Sequence, residues 1–150
     1  MARTPSRPRT LIPDGSADEA EAAFYEALQD GQIERVMACW ADEDEILCIH
    51  PGGPRLVGAL AIRSAYEAMF VQGALRIVPE RVRRLESMGA VIHNVLERIE
   101  VPTDEGVQYA WVVATNVYFK TAQGWRLVMH HASPGGREVA EVTVPAPLLH

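Results

Sequence analysis

The segment that most constrains the fold is a pair of apolar runs near the C-terminal end, separated by a short turn that contains Gly124. The two runs, 114–120 (ATNVYFK) and 125–133 (WRLVMHHAS), are rich in β-branched and aromatic residues. Two such runs around a short glycine-containing turn predict a β-hairpin. The second run contains adjacent histidines, whose side chains can gain or lose a proton near neutral pH. The hairpin therefore indicates β structure and marks candidate acid–base residues.

The first half of the chain predicts helices and the second half predicts strands. Ser16 and Glu19 match a capping box, so a helix begins there, and Gly31 ends it. The long run 107–120 predicts a strand that bends, as in a sheet that curls around a cavity. Helices followed by an antiparallel meander predict an α+β fold with the helices on one sheet face. The remaining predicted elements are helices at 33–40 and 58–73 and strands at 46–50, 56–57, 75–85, 90–101 and 125–133.

The 150 residues are enough for one domain with a core, which we expect over residues 14–134. Residues 1–13 hold three prolines and predict a flexible arm that is dispensable for folding, and residues 135–150 predict a tail. The net charge of -6 excludes a nucleic-acid footprint, and no apolar run is long enough to span a bilayer. We therefore expect neither nucleic acid nor membrane as a partner.

Two cysteines, Cys39 and Cys48, are too few for a disulfide framework. They predict buried free thiols in a reducing cytoplasm. The alternative, a catalytic cysteine, lacks a recognisable nucleophile motif. Metal-ligand spacings such as His-x-His or His-Glu-x-x-His are also missing, so we expect neither a metal nor another cofactor.

The motifs resemble the nuclear transport factor 2-like superfamily, in particular its SnoaL-like branch and the related calcium/calmodulin-dependent kinase association domain. The resemblance implies a curved antiparallel sheet that three N-terminal helices wrap into a cone with a pocket. It also implies a dimer through the sheet, and either an acid–base enzyme or a non-catalytic binder. The residues that carry the resemblance are Trp40-Ala41-Asp42, His50-Pro51-Gly52-Gly53, Gly58 with Ile62, Ala114-Thr115-Asn116, Gly124-Trp125-Arg126 and His130-His131-Ala132-Ser133.

Side chains alternate along a strand, so His130 and His131 are expected on opposite faces of the sheet. A three-residue turn at 121–123 would place Phe119 opposite Trp125. The face that contains His131 is then almost wholly apolar, and we expect it to face the pocket. The expected inner face comprises Val113, Thr115, Val117, Phe119, Trp125, Leu127, Met129 and His131.

The opposite face is expected to form the dimer interface. It would contain His130, together with Asn116, Tyr118 and Arg126, and aromatic and polar groups are common at interfaces. Val112, Tyr118 and Val128 would otherwise lie in water, and monomeric proteins rarely expose large apolar patches.

Three residues are candidate catalytic groups: His131, His50 and Asp42. For His131 the alternative is a structural histidine that is hydrogen-bonded inside the core. His50 ends a strand beside the Pro-Gly turn, where it could cap the turn or contact a ligand. Asp42 follows Trp40 and could be a pocket acid of raised pKa, or a solvated member of an acidic run.

Aromatic residues and one hydroxyl are the candidate ligand contacts, although such aromatics are often simply core. They are Trp40, Tyr66, Phe70, Trp111 and Thr115. Two functions remain open at this point. The first is a homodimer whose pocket binds a small, largely apolar molecule and rearranges, cyclises, dehydrates or hydrolyses it by acid–base chemistry. The second is a non-catalytic association or ligand-sensing module that acts through its sheet-mediated dimer.

Overall fold

The computed structural model describes residues 15–143, so the predicted arm at residues 1–13 and the end of the tail at residues 144–150 lie outside the described residues. Three helices precede the long strands, which confirms the predicted α+β order. The elements are α1 (Ala17–Asp30), α2 (Ile33–Ala38), β1 (Leu47–Ile49), β2 (Arg55–Val57), α3 (Ala59–Phe70), β3 (Ile77–Glu86), β4 (Ala90–Thr103), β5 (Gly106–Thr121) and β6 (Gly124–Gly136). Between residues 15 and 143, no helix is both long enough and apolar enough to cross a membrane.

Helix α1 begins and ends where the sequence predicts. The Glu19 N–H donates to Ser16 Oγ at 3.1 Å, and the Ser16 N–H donates to Glu19 Oε1 at 2.9 Å, so the capping box is complete. At the other end, Gly31 adopts a φ of 64°, which favours glycine, and its N–H donates to the Leu28 carbonyl. The chain then turns directly into α2.

The six strands form one curved sheet in the order β2-β1-β6-β5-β4-β3. All neighbouring pairs are antiparallel except β1 and β6, which are parallel. That parallel pair sets Cys48 beside His130. The short strand β1 therefore brings the residues around His50 close to His130 of β6.

The helices cover one face of the sheet, and the core lies between the helices and that face. Helix α1 contributes Phe24, Tyr25 and Leu28, all fully or almost fully buried. Burying a large apolar side chain is worth about 1.5–3 kcal/mol, so this face provides most of the driving force for docking α1. The core continues through Val36, Ile46, Ile62, Tyr66, Val91, Val95, Tyr118 and Leu127.

The closing hairpin differs from the predicted register. Its turn has two residues, so Thr121 pairs with Gly124, and Lys120 rather than Phe119 pairs with Trp125. A β-bulge then leaves Val128 unpaired between Leu127 and Met129. Because a bulge shifts the alternation by one residue, Leu127 and His130 face the same side.

The predicted orientation of the two histidines is therefore wrong. His130 is 4% exposed and faces the helices, whereas His131 is exposed on the other face, opposite Thr115. Val112 and Tyr118 are also buried on the inner face, and Val128 packs against the core. The outer face instead carries the more apolar set, Val113, Thr115, Val117, Phe119 and Met129. The physical reason is that the inner polar groups hydrogen-bond to one another, so apolarity alone did not identify the inner face.

Candidate functional site

A cavity of about 70 Å³ lies between the helices and the inner face of the sheet. Its wall combines an apolar ring with three groups capable of acid–base chemistry, His50, Glu97 and His130. The lining residues are Leu28, His50, Pro51, Tyr66, Met69, Leu75, Ile77, Glu97, Ile99, Val112 and His130.

Strand pairing explains how these groups meet. On β4 the odd-numbered positions from Val91 to Glu97 are buried, so Glu97 faces the helices. His130 of β6 pairs with Asn116 of β5 on one side and with Cys48 of β1 on the other. Two residues beyond Cys48, the His50 ring lies 6.1 Å from the His130 ring, measured between centroids.

A buried hydrogen-bond network connects Glu97 to His130 behind the cavity. The Tyr25 hydroxyl donates to Glu97 Oε2 at 2.7 Å, and Asn116 Nδ2 donates to Tyr25 Oη at 2.9 Å. Asn116 Oδ1 lies 2.5 Å from His130 Nδ1. Through these bonds α1 is tied to β4, β5 and β6.

Glu21 is the second acid in this network. Its Oε2 accepts hydrogen bonds from Tyr118 at 2.9 Å and from Asn116 at 3.2 Å. His93 Nδ1 lies 3.0 Å from the same oxygen, but that contact lacks hydrogen-bond geometry. Glu21, Asn116 and Tyr118 are all buried, so α1 docks on the sheet through polar as well as apolar contacts.

Burial raises the pKa of Glu97 to about 7, helped by the charge of Glu21 and opposed by the hydrogen bond from Tyr25. The charged carboxylate is penalised because water is replaced by a less polar interior. Glu97 can therefore hold or release a proton near neutral pH, which is where a general acid or base works best.

The two cavity histidines shift in the opposite direction. Burial lowers the pKa of His130 to about 3, with smaller contributions from the charges of His50 and His131. Burial also lowers the pKa of His50. Both rings are therefore neutral at pH 7 and act there as hydrogen-bonding groups.

Cys48 does not act as a nucleophile in this setting. Its Sγ lies 3.6 Å from His50 Nε2 and 3.9 Å from Tyr66 Oη, but burial raises the pKa of its thiol to about 12. A thiol that stays protonated is a poor nucleophile. Cys39 has the same raised pKa, and both cysteines are free and buried, as the sequence predicted.

Only some of the predicted site residues line this cavity. His50 and Tyr66 do, with their ring centroids 4.9 Å apart, and the Phe70 ring lies 6.3 Å from the Tyr66 ring. Trp40 is buried in the core, and Asp42 is exposed in the loop before β1. The remaining three, Trp111, Thr115 and His131, are not among its lining residues.

Five residues of the site were not predicted from the sequence: Glu97, His130, Asn116, Tyr25 and Glu21. Helical spacing carried a signal for two of them, since Tyr25 lies four residues after Glu21 and three before Leu28, so all three fall on the buried side of α1. Strand alternation carried another, because Glu97 shares its face with Val91 and Val95. Across residues 15–143 no group of three or more His, Cys, Asp or Glu side chains is arranged to hold a metal ion.

Residues 18–135 match the SnoaL-like domain family, and the chain belongs to that family. It has the cystatin-like fold of the nuclear transport factor 2-like proteins. No curated protein shows significant sequence similarity to it.

Several solved structures are similar to this chain. A candidate calcium/calmodulin-dependent protein kinase type II association domain from Thiobacillus denitrificans is 35% identical, with a TM-score of 0.72 over 79% of this chain and 94% of that one. A candidate dehydratase of the NTF2-like family from Streptomyces avermitilis is 29% identical, with a TM-score of 0.68 over 77% of this chain and 90% of that one. The CaMKII hub of S. rosetta shares the fold at 19% identity, with a TM-score of 0.63 over 82% of this chain and 99% of that one.

The two neighbouring histidines provide a matched test of the site. Because the folded-state pKa of His130 is about 3 and the ordinary value is 6.5, the unfolded chain binds an extra proton between these pH values. The wild-type protein should therefore lose stability as pH falls through this window, by about 1 kcal/mol per pH unit from this residue. His130→Gln should not show this loss of stability. Urea unfolding at pH 4, 5 and 6 would measure the free energy of unfolding of both proteins.

His131→Gln is the control, because His131 is exposed on the outer face. The stability of this variant should depend on pH as that of the wild type does. If His131→Gln rather than His130→Gln removed the loss of stability at low pH, the assignment of the inner face would be wrong.

Proposed function

We propose that the cavity is the functional site, and that the protein binds a small uncharged molecule there and exchanges a proton with it through Glu97. The observation that carries the proposal is a buried carboxyl with a pKa of about 7 in a cavity wall that also presents two neutral imidazoles. Neutral hydrogen-bonding groups orient a ligand, and a group poised near the ambient pH transfers the proton.

The lining of the cavity limits what can bind. Its wall contains no Lys or Arg, so an anionic group would find no cationic partner among the lining residues. Its volume of about 70 Å³ is well below the roughly 300–1,000 Å³ of typical ligand pockets. A ligand of a few heavy atoms fits directly.

A larger ligand needs movement at the apolar ring. A wider space of about 500 Å³ adjoins the cavity and shares Met69, Leu75, Ile77 and Ile99 with it. Met69 is flexible, and Leu75 lies in the loop between α3 and β3, so displacement of these two side chains would join the two spaces. Ligands with an apolar extension are therefore part of the proposal.

The reaction class that suits these groups is proton transfer at carbon or oxygen, as in isomerisation or dehydration. The resemblance to a candidate dehydratase supports this class without fixing the substrate. Glu97 is the proton donor or acceptor, and His50 and His130 orient the ligand. A cytoplasmic location also belongs to the proposal, supported by two free thiols.

Exchange of the α-protons of hydroxyacetone, a small hydroxyketone, for deuterium in D₂O tests this proposal. Ionised Glu97 would remove a proton from the α-carbon to give the enol or enolate, and a deuteron would return to the same carbon. NMR should show faster exchange in the presence of the wild-type protein than in buffer alone. Glu97→Gln, which keeps the shape but cannot accept the proton, should lose about 10²–10⁴-fold of the acceleration.

Glu105→Gln is a suitable control, because Glu105 lies exposed in the turn between β4 and β5. It should exchange the α-protons of hydroxyacetone as fast as the wild type does. Equal rates for Glu97→Gln and the wild-type protein would exclude Glu97 as the base.

We also propose self-association of the chain through the outer face of the sheet. Ile92, Val117 and Met129 pair across β4, β5 and β6 on this face, and Ile92 and Met129 are 38% and 36% exposed. Exposed apolar patches of this kind commonly mark interfaces. The similarity to an association domain at 35% identity supports the same conclusion.

The charges around this patch are compatible with a second copy of the chain. An open groove of about 640 Å³ beside Met129 is lined by Lys120 as well as by Glu43 and Glu45. In a two-fold contact the same surface meets itself, so the Lys120 side chain of one copy can face Glu43 or Glu45 of the other copy. Opposite charges at the rim would favour this pairing.

Light scattering at micromolar concentration would measure the association. The wild type should have at least twice the 16.5 kDa mass of one chain, and Met129→Asp should lower the mass towards that of a monomer. Leu60→Asp is the control, since Leu60 is 84% exposed on α3, away from the sheet. A monomeric wild-type protein would contradict the proposal.

A further inference from the structure

The Asn116 side chain lies where the hydrogen bonds of the network meet, and its partners fix which way its amide points. Its Nδ2 lies 2.9 Å from Tyr25 Oη and 3.2 Å from Glu21 Oε2. The Tyr25 proton is already donated to Glu97, so Tyr25 Oη must accept. Both neighbours therefore require a donor, and only the NH₂ end of the amide provides one.

The opposite end of the amide then determines the proton position on His130. Asn116 Oδ1 can only accept, and it lies 2.5 Å from His130 Nδ1. His130 Nδ1 must therefore carry the proton. Since burial keeps the ring neutral, with its pKa lowered to about 3, His130 Nε2 carries none.

We infer that Asn116 is a positioning residue, which holds His130 in the Nδ1–H tautomer and so presents an unprotonated Nε2 to the cavity. A hydrogen-bond acceptor in this wall selects a ligand that donates. Glu97 in its protonated form is the complementary donor. A hydroxyl group satisfies both, because it donates to His130 Nε2 while its oxygen accepts from Glu97.

This selection names a substrate class for the site, and it rests on the proposed function. Alcohols and hydroxycarbonyl compounds should bind better than ethers of the same size, which cannot donate. The role of Asn116 itself does not depend on a ligand. It can therefore be tested on the free protein, so that its failure and the failure of the proposed function are distinguishable.

The experiment records the ¹⁵N shifts of the His130 ring nitrogens in labelled, ligand-free protein at pH 7. The wild type should show a protonated Nδ1 and an unprotonated Nε2. Asn116→Leu removes the acceptor at nearly the same volume, so His130 should lose this tautomer preference. Asn116→Asp removes the donor to Tyr25 and Glu21 but keeps an acceptor facing Nδ1, so Nδ1 should stay protonated.

Asn94→Leu is the matched control for Asn116→Leu. Asn94 donates a hydrogen bond to Thr115 on the outer face, so its replacement should leave the ¹⁵N shifts of the His130 ring unchanged. If Asn116→Leu does not fold, Asn116→Ala replaces it. A wild-type ring protonated at Nε2 would overturn the inference, as would an Asn116→Leu or Asn116→Ala ring that keeps the wild-type pattern. If Asn116 had a purely structural role, Asn116→Asp and Asn116→Leu would both change the stability of the protein. The ¹⁵N shifts of the His130 ring would then not differ between the two variants.

Discussion

The structure depends on the hydrogen bonds that Asn116 makes where α1 packs on the sheet. Asn116 contacts Tyr25 and Glu21 of α1 on one side and His130 of β6 on the other. Each of these groups is buried, and a buried polar group that lost its partner would cost about 1–3 kcal/mol. The network therefore fixes the position of α1 more narrowly than apolar packing alone would.

The same burial gives the cavity its chemistry. Removing water raises the pKa of Glu97 and lowers the pKa of His130, so both groups favour their uncharged forms. The cavity wall thus combines an acid that can exchange its proton near pH 7 with an imidazole that stays neutral. Alternation along β5 also divides the roles of the sheet, because Asn116 is buried on the inner face while Val117 lies on the outer, apolar face.

Much of the fold could be predicted from the sequence. The capping box at Ser16, the turn after His50 and the long strands are local features, and local features determine where elements begin and end. Motifs that lie in these elements also predicted the family.

The inner face of the hairpin could not be predicted in the same way. Its orientation depends on a two-residue turn and a bulge at Val128, and neither has a clear sequence signal here. The rule that the more apolar face is buried failed because the buried polar groups have hydrogen-bond partners inside the protein: Asn116 bonds to His130, and Tyr25 of α1 links Asn116 to Glu97. Only tertiary contacts between α1 and three strands reveal that compensation.

The proposed chemistry requires that Glu97 exchanges its proton near neutral pH because it is buried beside the cavity. An NMR titration of the Glu97 side-chain carboxyl carbon, assigned by its loss in Glu97→Gln, measures this directly. The midpoint should lie near pH 7. A midpoint near the ordinary value of 4.5 would show that Glu97 is a permanently ionised carboxylate at neutral pH, and would exclude it as the group that exchanges the proton.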